Sequence, residues 1–171
     1  PAVVLHLAAE SHVDRSLHDA APFVRTNVTG TWVVARAAAA AGARLVQVSS
    51  DEVYGDREGL PPSREGDPET PTNPYAATKA CADAIVRSLV RSGGLDAVIT
   101  RGGNTYGPGQ FPEKLLPLAA LRWEAGRSMA VYGDGFQVRE WLHVDDHAAG
   151  IVAAARSGLD GVLHLGSGDA R

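Results

Sequence analysis

The sequence predicts an α/β fold in which helices flank a parallel sheet, and three observations point to it. Short aliphatic and β-branched runs at residues 2–7, 44–48 and 97–100 alternate with longer segments of helical composition, the signature of βαβ units. The first run, Ala-Val-Val-Leu-His-Leu after Pro1, reads as an interior parallel strand rather than a natural chain start. The second runs directly into a hydroxyl and two carboxylates at Ser50, Asp51 and Glu52, where open α/β sheets place their ligands.

The elements follow in order. After the first strand, a helix is expected from near Pro22 through Asn27 and Trp32, stopping where Gly42 follows the alanine run. The second helix is marked more sharply. Asn73 suits the N-cap and Pro74 the first helical position; Cys81, Ile85 and Leu89 recur every four residues as the expected buried stripe, and Gly93 and Gly94 close the helix. On that stripe Cys81 reads as core packing, not a reactive thiol. Between strand and helix, residues 55–72 are rich in Pro, Gly, Asp and Glu and form a loop long enough to be functional over the strand ends. Beyond Thr100 the composition shifts to Gly-Gly-Asn-Thr-Tyr-Gly-Pro-Gly. A helix at about 115–125, a short strand near Val131 and a helix near 145–156 then read as a second lobe begun but not finished. The abrupt ends, Pro1 and Gly-Asp-Ala-Arg171, lead us to expect a piece of a longer protein.

Composition excludes several classes. A chain of 171 residues, 44% hydrophobic and 21% charged, buries one sizeable core. Its 16 basic residues against 20 acidic ones are scattered, so nucleic acid is a poor partner. The longest apolar stretches, such as the alanines 37–41 between Arg36 and Arg44, fall well short of the roughly 20 residues that cross a bilayer. With one cysteine and no leader-like start, a soluble protein of the reducing cytoplasm is expected.

The chemistry resides in two clusters. Tyr75 and Lys79 are four apart on a helix and project from one face. A tyrosine hydroxyl, ordinarily near pKa 10, becomes a useful base at neutral pH when a cation stabilises its anion, and Lys79 is placed to do so. Alone, a Tyr-x-x-x-Lys pair is common on any amphipathic helix. Asp51 and Glu52, adjacent at a strand end, divide proton donor from proton acceptor if their environments separate their pKa values; the plainer alternative is a turn cap and a solvated acid. His143 and His147, flanked by Asp145 and Asp146, read as a helix start with acids in its first turn rather than a metal site.

Together these blocks carry a resemblance. His6-Leu-Ala-Ala-Glu-Ser-His-Val-Asp-Arg-Ser16, Ser50-Asp-Glu-Val-Tyr-Gly55, Tyr75-Ala-Ala-Thr-Lys79, Asn104-Thr-Tyr-Gly-Pro, Phe111-Pro-Glu-Lys-Leu115, Tyr132-Gly-Asp-Gly and Arg139-Glu-Trp-Leu-His-Val-Asp-Asp-His147 resemble the dTDP-glucose 4,6-dehydratases of the extended short-chain dehydrogenase/reductases. The resemblance covers nearly the whole chain, in family order. It implies a doubly wound, Rossmann-like sheet that binds NAD, lacking its first βαβ units here, with residues 1–105 as the later part of the NAD-binding domain and 106–171 as part of a smaller substrate lobe. It also implies that Tyr75 takes the proton of the sugar 4-hydroxyl as hydride leaves C4 for NAD. Glu52 then removes the C5 proton, Asp51 protonates the departing 6-hydroxyl, and the hydride returns to C6. Ser50 would bond the 4-oxygen and Lys79 the nicotinamide ribose. By the same resemblance Leu7, Ala8, Ala9, Ser11, Thr26, Thr105, Tyr75 and Lys79 contact the cofactor, and Ser11, Ser50, Asn104, Lys114, Leu115, Tyr132 and Arg139 the nucleotide sugar. Arg139 suits a diphosphate through its planar fork, although a surface ion pair with Glu140 or Asp145 explains it equally simply. A homodimer through the Tyr75 helix is also implied.

Four departures stand out: Ser50 where Thr is usual, Thr105 for a second Asn, Ala130 for Pro and His164 for Asn. The glycine-rich turn that receives a pyrophosphate at a helix N-terminus is not among these residues, so the isolated 171 residues are expected to be inactive. Rival readings are a UDP-glucose 4-epimerase, a UDP-glucuronate decarboxylase, or a silent NAD-binding protein.

Overall fold

The computed structural model describes residues 2–57, 59–131 and 133–168. In chain order these fold as β1 (Val3–His6), α1 (Val13–His18), α2 (Ala21–Phe23), a π-helical segment (Val24–Thr29), α3 (Gly30–Ala40), β2 (Arg44–Val48), a 3-10 turn (Asp51–Tyr54) and α4 (Pro74–Arg91). There follow β3 (Ala97–Gly102), β4 (Asn104–Tyr106), α5 (Leu115–Glu124), β5 (Trp141–His143), α6 (Val144–Ser157) and β6 (Gly161–Leu165).

Four strands form a wholly parallel sheet in the order β1-β2-β3-β6. Alternation along the strands splits the core between two faces. Leu45, Ala97 and Ile99 pack with Ala35, Ala38 and Val86 of α3 and α4, whereas Val46 and Val98 pack with Ile151 and Ala154 of α6. Helices therefore cover both faces, and the sheet is doubly wound as expected. The strands' C-terminal ends gather His6, Val48 and Gly102 along one edge, with Ser50 just beyond β2.

Several elements differ from the sequence reading. The helix expected from Pro22 to Gly42 is one rod with a π segment inside it. There Asn27 turns its amide to the loop after β1 and to α4, accepting from Glu10 N at 2.9 Å and donating to Glu10 O and Thr78 Oγ1 at 3.0 Å each. Among the described residues no strand forms near Val131, whose side chain lies exposed. Two short strands the sequence did not announce, β4 and β5, pair in parallel beside the main sheet. Of the elements that the sequence reading places in the second lobe, β6 pairs with β3 in the main sheet from Val98↔Gly161 onward, and α6 packs on that sheet's face.

α4 begins as expected: Asn73 Oδ1 accepts from Ala76 N at 2.8 Å, and Pro74 opens the first turn. Its buried face does not match. Ala76, Thr78, Lys79, Ala82, Asp83 and Val86 are buried, whereas Cys81 is exposed and is no part of the core. The alanine-rich α3 comes close and selects small residues facing it. Lys79 and Asp83, which hydrophobic periodicity assigns to water, go inside because each finds a partner there.

The loop after the 3-10 turn is pinned at its neck. Gly55 takes φ +72°, and a Cβ there would lie 2.0 Å from Thr70 O, so only glycine fits. Thr70 in turn donates to Val53 O at 3.0 Å through its amide and to Tyr54 O at 2.7 Å through its hydroxyl.

Candidate active site

β2 delivers its last residues straight into a sharp turn. Ser50, extended and buried, caps that turn by accepting from Glu52 N at 3.2 Å, which swings Asp51 and Glu52 off the strand end. Opposite them α4 presents Tyr75 and Lys79, and a cavity of about 340 Å3 opens between. Its walls include Leu7, Ala9 and Ser11 after β1, Ser50, Asp51 and Glu52 after β2, Tyr75 and Lys79 on α4, and Asn104, Thr105, Lys114 and Leu115 from the later part of the chain.

The two carboxylates have unlike surroundings. Burial pushes the Asp51 carboxyl up to about 6, helped by the Glu52 and Glu140 charges and opposed by a 3.3 Å hydrogen bond from Ser50. Glu52 Oε2 accepts from Asn73 Nδ2 at 3.0 Å, so the residue that caps α4 also fixes this acid. Asp51 thus holds its proton to higher pH than an ordinary carboxyl while Asn73 orients Glu52, a difference that donor–acceptor chemistry can use.

A raised carboxyl carries a stability consequence. Folding favours the protonated form, so the contribution is complete below the unfolded value, near pH 4, and is lost as pH rises through about 6. Asp51→Asn is therefore expected to stabilise the protein at neutral pH by up to about 3 kcal/mol, the difference vanishing below about pH 4. Thermal melts at the two pH values check this; equal stability of variant and parent at neutral pH would place Asp51 in water.

Tyr75 departs from expectation. Its hydroxyl is pushed up to about 12, mainly by burial and further by the Glu52 and Asp51 charges, against a hydrogen bond with Ser50. Lys79 does not offset this. Its ammonium donates to Val48 O at 2.6 Å, and burial pulls its own pKa down against the attraction of Asp83. The phenol is accordingly neutral here, and the expected Lys79 stabilisation of its anion is replaced by a lysine tied to the strand end.

The residues present fit the nicotinamide–ribose end of NAD. Lys79 is buried on the cavity wall with one of its three donors committed to Val48, which leaves capacity for a ribose hydroxyl, while Leu7 and Ala9 supply an apolar wall. Ser11 and Lys114 meet across the site, Lys114 Nζ donating to Ser11 O at 2.8 Å.

Other expected contacts fall elsewhere. Ala8 and Thr26 do not line the cavity; beside Thr26 it is Asn27 that reaches the β1 loop. Arg139 is exposed and donates to the carbonyl of its neighbour Val138, because the stretch preceding β5 leaves it on the surface. Tyr132 lies outside the described residues. Conversely, Gln110, Trp141 and His147 line the cavity without having been singled out as contacts, and Asn73 was read only as a cap. Thr105, a departure from the usual Asn, bonds His147 Nδ1 at 2.7 Å.

Comparison with known proteins agrees with this fold. Residues 1–166 match the model of the NAD dependent epimerase/dehydratase family. Over 167 residues the chain is 52% identical to the dTDP-glucose 4,6-dehydratase of Streptomyces griseus, covering 96% of this chain and 51% of that one. A double mutant of the dTDP-glucose 4,6-dehydratase of Streptomyces venezuelae, solved with NAD bound, superposes with a TM-score of 0.93 at 45% identity, over 99% of this chain and 53% of that one. The UDP-N-acetylglucosamine 4-epimerase of Methanobrevibacter ruminantium superposes almost as well, TM-score 0.92, at only 28% identity over 99% of this chain and 56% of that one. The chain spans about half the length of the curated relatives it matches.

Proposed function

Because this chain belongs to the NAD dependent epimerase/dehydratase family, we propose that the protein carrying it is a dTDP-glucose 4,6-dehydratase. The single observation that carries the reading is the unlike pair on the turn after β2, with Asp51 pushed up to about 6 beside a Glu52 held by Asn73, both facing Tyr75 across one cavity. An epimerase has no need of a donor acid and an acceptor acid in addition to the tyrosine. The identities favour the same choice, 52% to a dehydratase against 28% to an epimerase.

Tyr75, hydrogen-bonded to Ser50, takes the proton of the sugar 4-hydroxyl. Glu52 removes the hydrogen at C5, made acidic by the new C4 ketone. Asp51 gives its proton to the 6-hydroxyl, which departs as water. NAD, when bound, supplies a positive charge and a hydride acceptor for C4 that later returns the hydride to C6. Lys79 and the Leu7–Ala9–Ser11 wall hold the cofactor's nicotinamide end, and Ser11, Asn104, Lys114 and Leu115 hold the nucleotide sugar. In this reading residues 1–105 carry the cofactor and acid–base chemistry, and the segment from 106 begins the substrate lobe.

A cytoplasmic homodimer belongs to the same reading. The exposed Cys81 of α4 and the exposed Trp32 and Val33 of the neighbouring α3 support an association face there. The test is turnover by the whole protein of dTDP-glucose deuterated at C4. We expect 4-keto-6-deoxyglucose with the label at C6, made by a species that sediments as a dimer and fractionates with the cytosol. A C4 epimer that retains all its oxygens would replace the dehydratase by an epimerase.

A further inference from the structure

The three residues that carry the elimination, Ser50, Asp51 and Glu52, lie between two others that are tied to the same buried ion pair. On one side, Ser49 Oγ donates to Asp83 Oδ2 at 3.0 Å. On the other, the Tyr54 hydroxyl accepts from Arg101 Nη1 at 2.7 Å, with the guanidinium carbon 4.8 Å from the ring centroid. Asp83 and Arg101 close the bracket themselves, Nε and Nη2 both donating to Asp83 Oδ2 at 3.1 and 2.9 Å. Asp83 is fully buried and Arg101 is 2% exposed.

The pair also reaches the other half of the site. Asp83 stands one turn beyond Lys79 on α4, and its Oδ1 is buried without a hydrogen-bond partner among the described residues while its charge acts on the Lys79 ammonium. Arg101 Nη2 bonds Glu69, which Arg87 grips by two bonds at 2.5 and 3.1 Å. The Tyr54 hydroxyl also hydrogen-bonds His164 Nε2 at 2.6 Å, at the position where the family usually has Asn. One guanidinium thereby sits among β3, α4, the 3-10 turn and the neck of the loop.

A buried ion pair is a poor device for stability, because well-packed apolar residues of the same volume often do as well or better. What this one supplies is fixed direction, since both ends of the catalytic turn terminate on it. We propose that Asp83 and Arg101 are the positioning residues of the site, setting the angle at which Asp51 and Glu52 face the Tyr75 and Lys79 helix. This rests on the dehydratase reading.

Two mild variants test it in the whole protein. Tyr54→Phe removes one hydroxyl and keeps the ring under Arg101; Ser49→Ala removes the other tie. Each is expected to lower kcat for water loss by roughly 10- to 100-fold, the scale of a small misplacement of reacting groups, with KM changed less than about twofold. Oxidation at C4, read as the absorbance of reduced nicotinamide on mixing with substrate, should continue at close to the parental rate, because Tyr75 and Lys79 keep their own contacts. The double variant should be no slower than the product of the single effects and closer to the slower single, as for two ties on one clamp. Full kcat in both single variants, with only a lower melting temperature, would reduce the pair to a structural role and overturn the proposal. A wild-type protein that removes no water from dTDP-glucose would instead end the dehydratase reading, and the two failures are told apart by that control.

Discussion

Glu52→Gln is expected to arrest turnover after the sugar has been oxidised at C4. The amide keeps the size of the side chain and can still meet Asn73, whose Nδ2 now lies 3.0 Å from Glu52 Oε2, so the turn holds its shape. What disappears is the acceptor for the C5 proton. General-base contributions of this kind amount to roughly 10²- to 10⁴-fold. Mixing variant and substrate should give the near-ultraviolet absorbance of reduced nicotinamide at close to the parental rate, followed by no 4-keto-6-deoxy sugar. Parental water loss from the variant would remove Glu52 from the reaction and return the choice between dehydratase and epimerase to open ground.

Tyr75→Phe is expected to have the larger effect on the first step. The ring stays, packed edge-on to Phe23 with centroids 6.5 Å apart, and the backbone amide keeps its 3.2 Å bond to Ser16 Oγ. Folding should be little changed. Without the hydroxyl, the group assigned to take the 4-hydroxyl proton is gone. A fall in oxidation rate of about 10³-fold or more follows, with no absorbance change on mixing. Because Tyr75 is pushed up to about 12 in this structure, the parental rate of that step should rise with pH across the neutral range until bound cofactor and substrate bring the phenol down. A flat rate in the parent, or near-parental oxidation by Phe, would assign the proton to another group.

Much of this was legible in residue order, and the division follows the range of the forces. The start of α4 was readable because Asn73 and Pro74 act on amides within three residues of themselves. The acid pair was readable because the strand pattern of residues 44–48 fixes where Asp51 and Glu52 emerge. Nothing local shows that Lys79 spends its ammonium on Val48, 31 residues earlier, or that Arg101 joins Asp83 across 18 residues. Hydrophobic periodicity placed Cys81 inward with Ile85 and Leu89 because it scores Lys79 and Asp83 as water-seeking; Leu89 does pack against the core, but Cys81 is exposed and pairing carries Lys79 and Asp83 inside. The surface position of Arg139 was illegible for another reason: no local pattern says which way an irregular segment turns.

The pinned neck of the loop has a consequence for chain length. Gly55 pressed against Thr70, with Thr70 bonded back to Val53 and Tyr54, makes the excursion between them leave and return at one point. In polymer terms such a closed path is forgiving: doubling its contour adds only about 0.6 kcal/mol of closure entropy. Insertions toward its tip can therefore accumulate while Asp51 and Glu52, a few residues away, stay where they are.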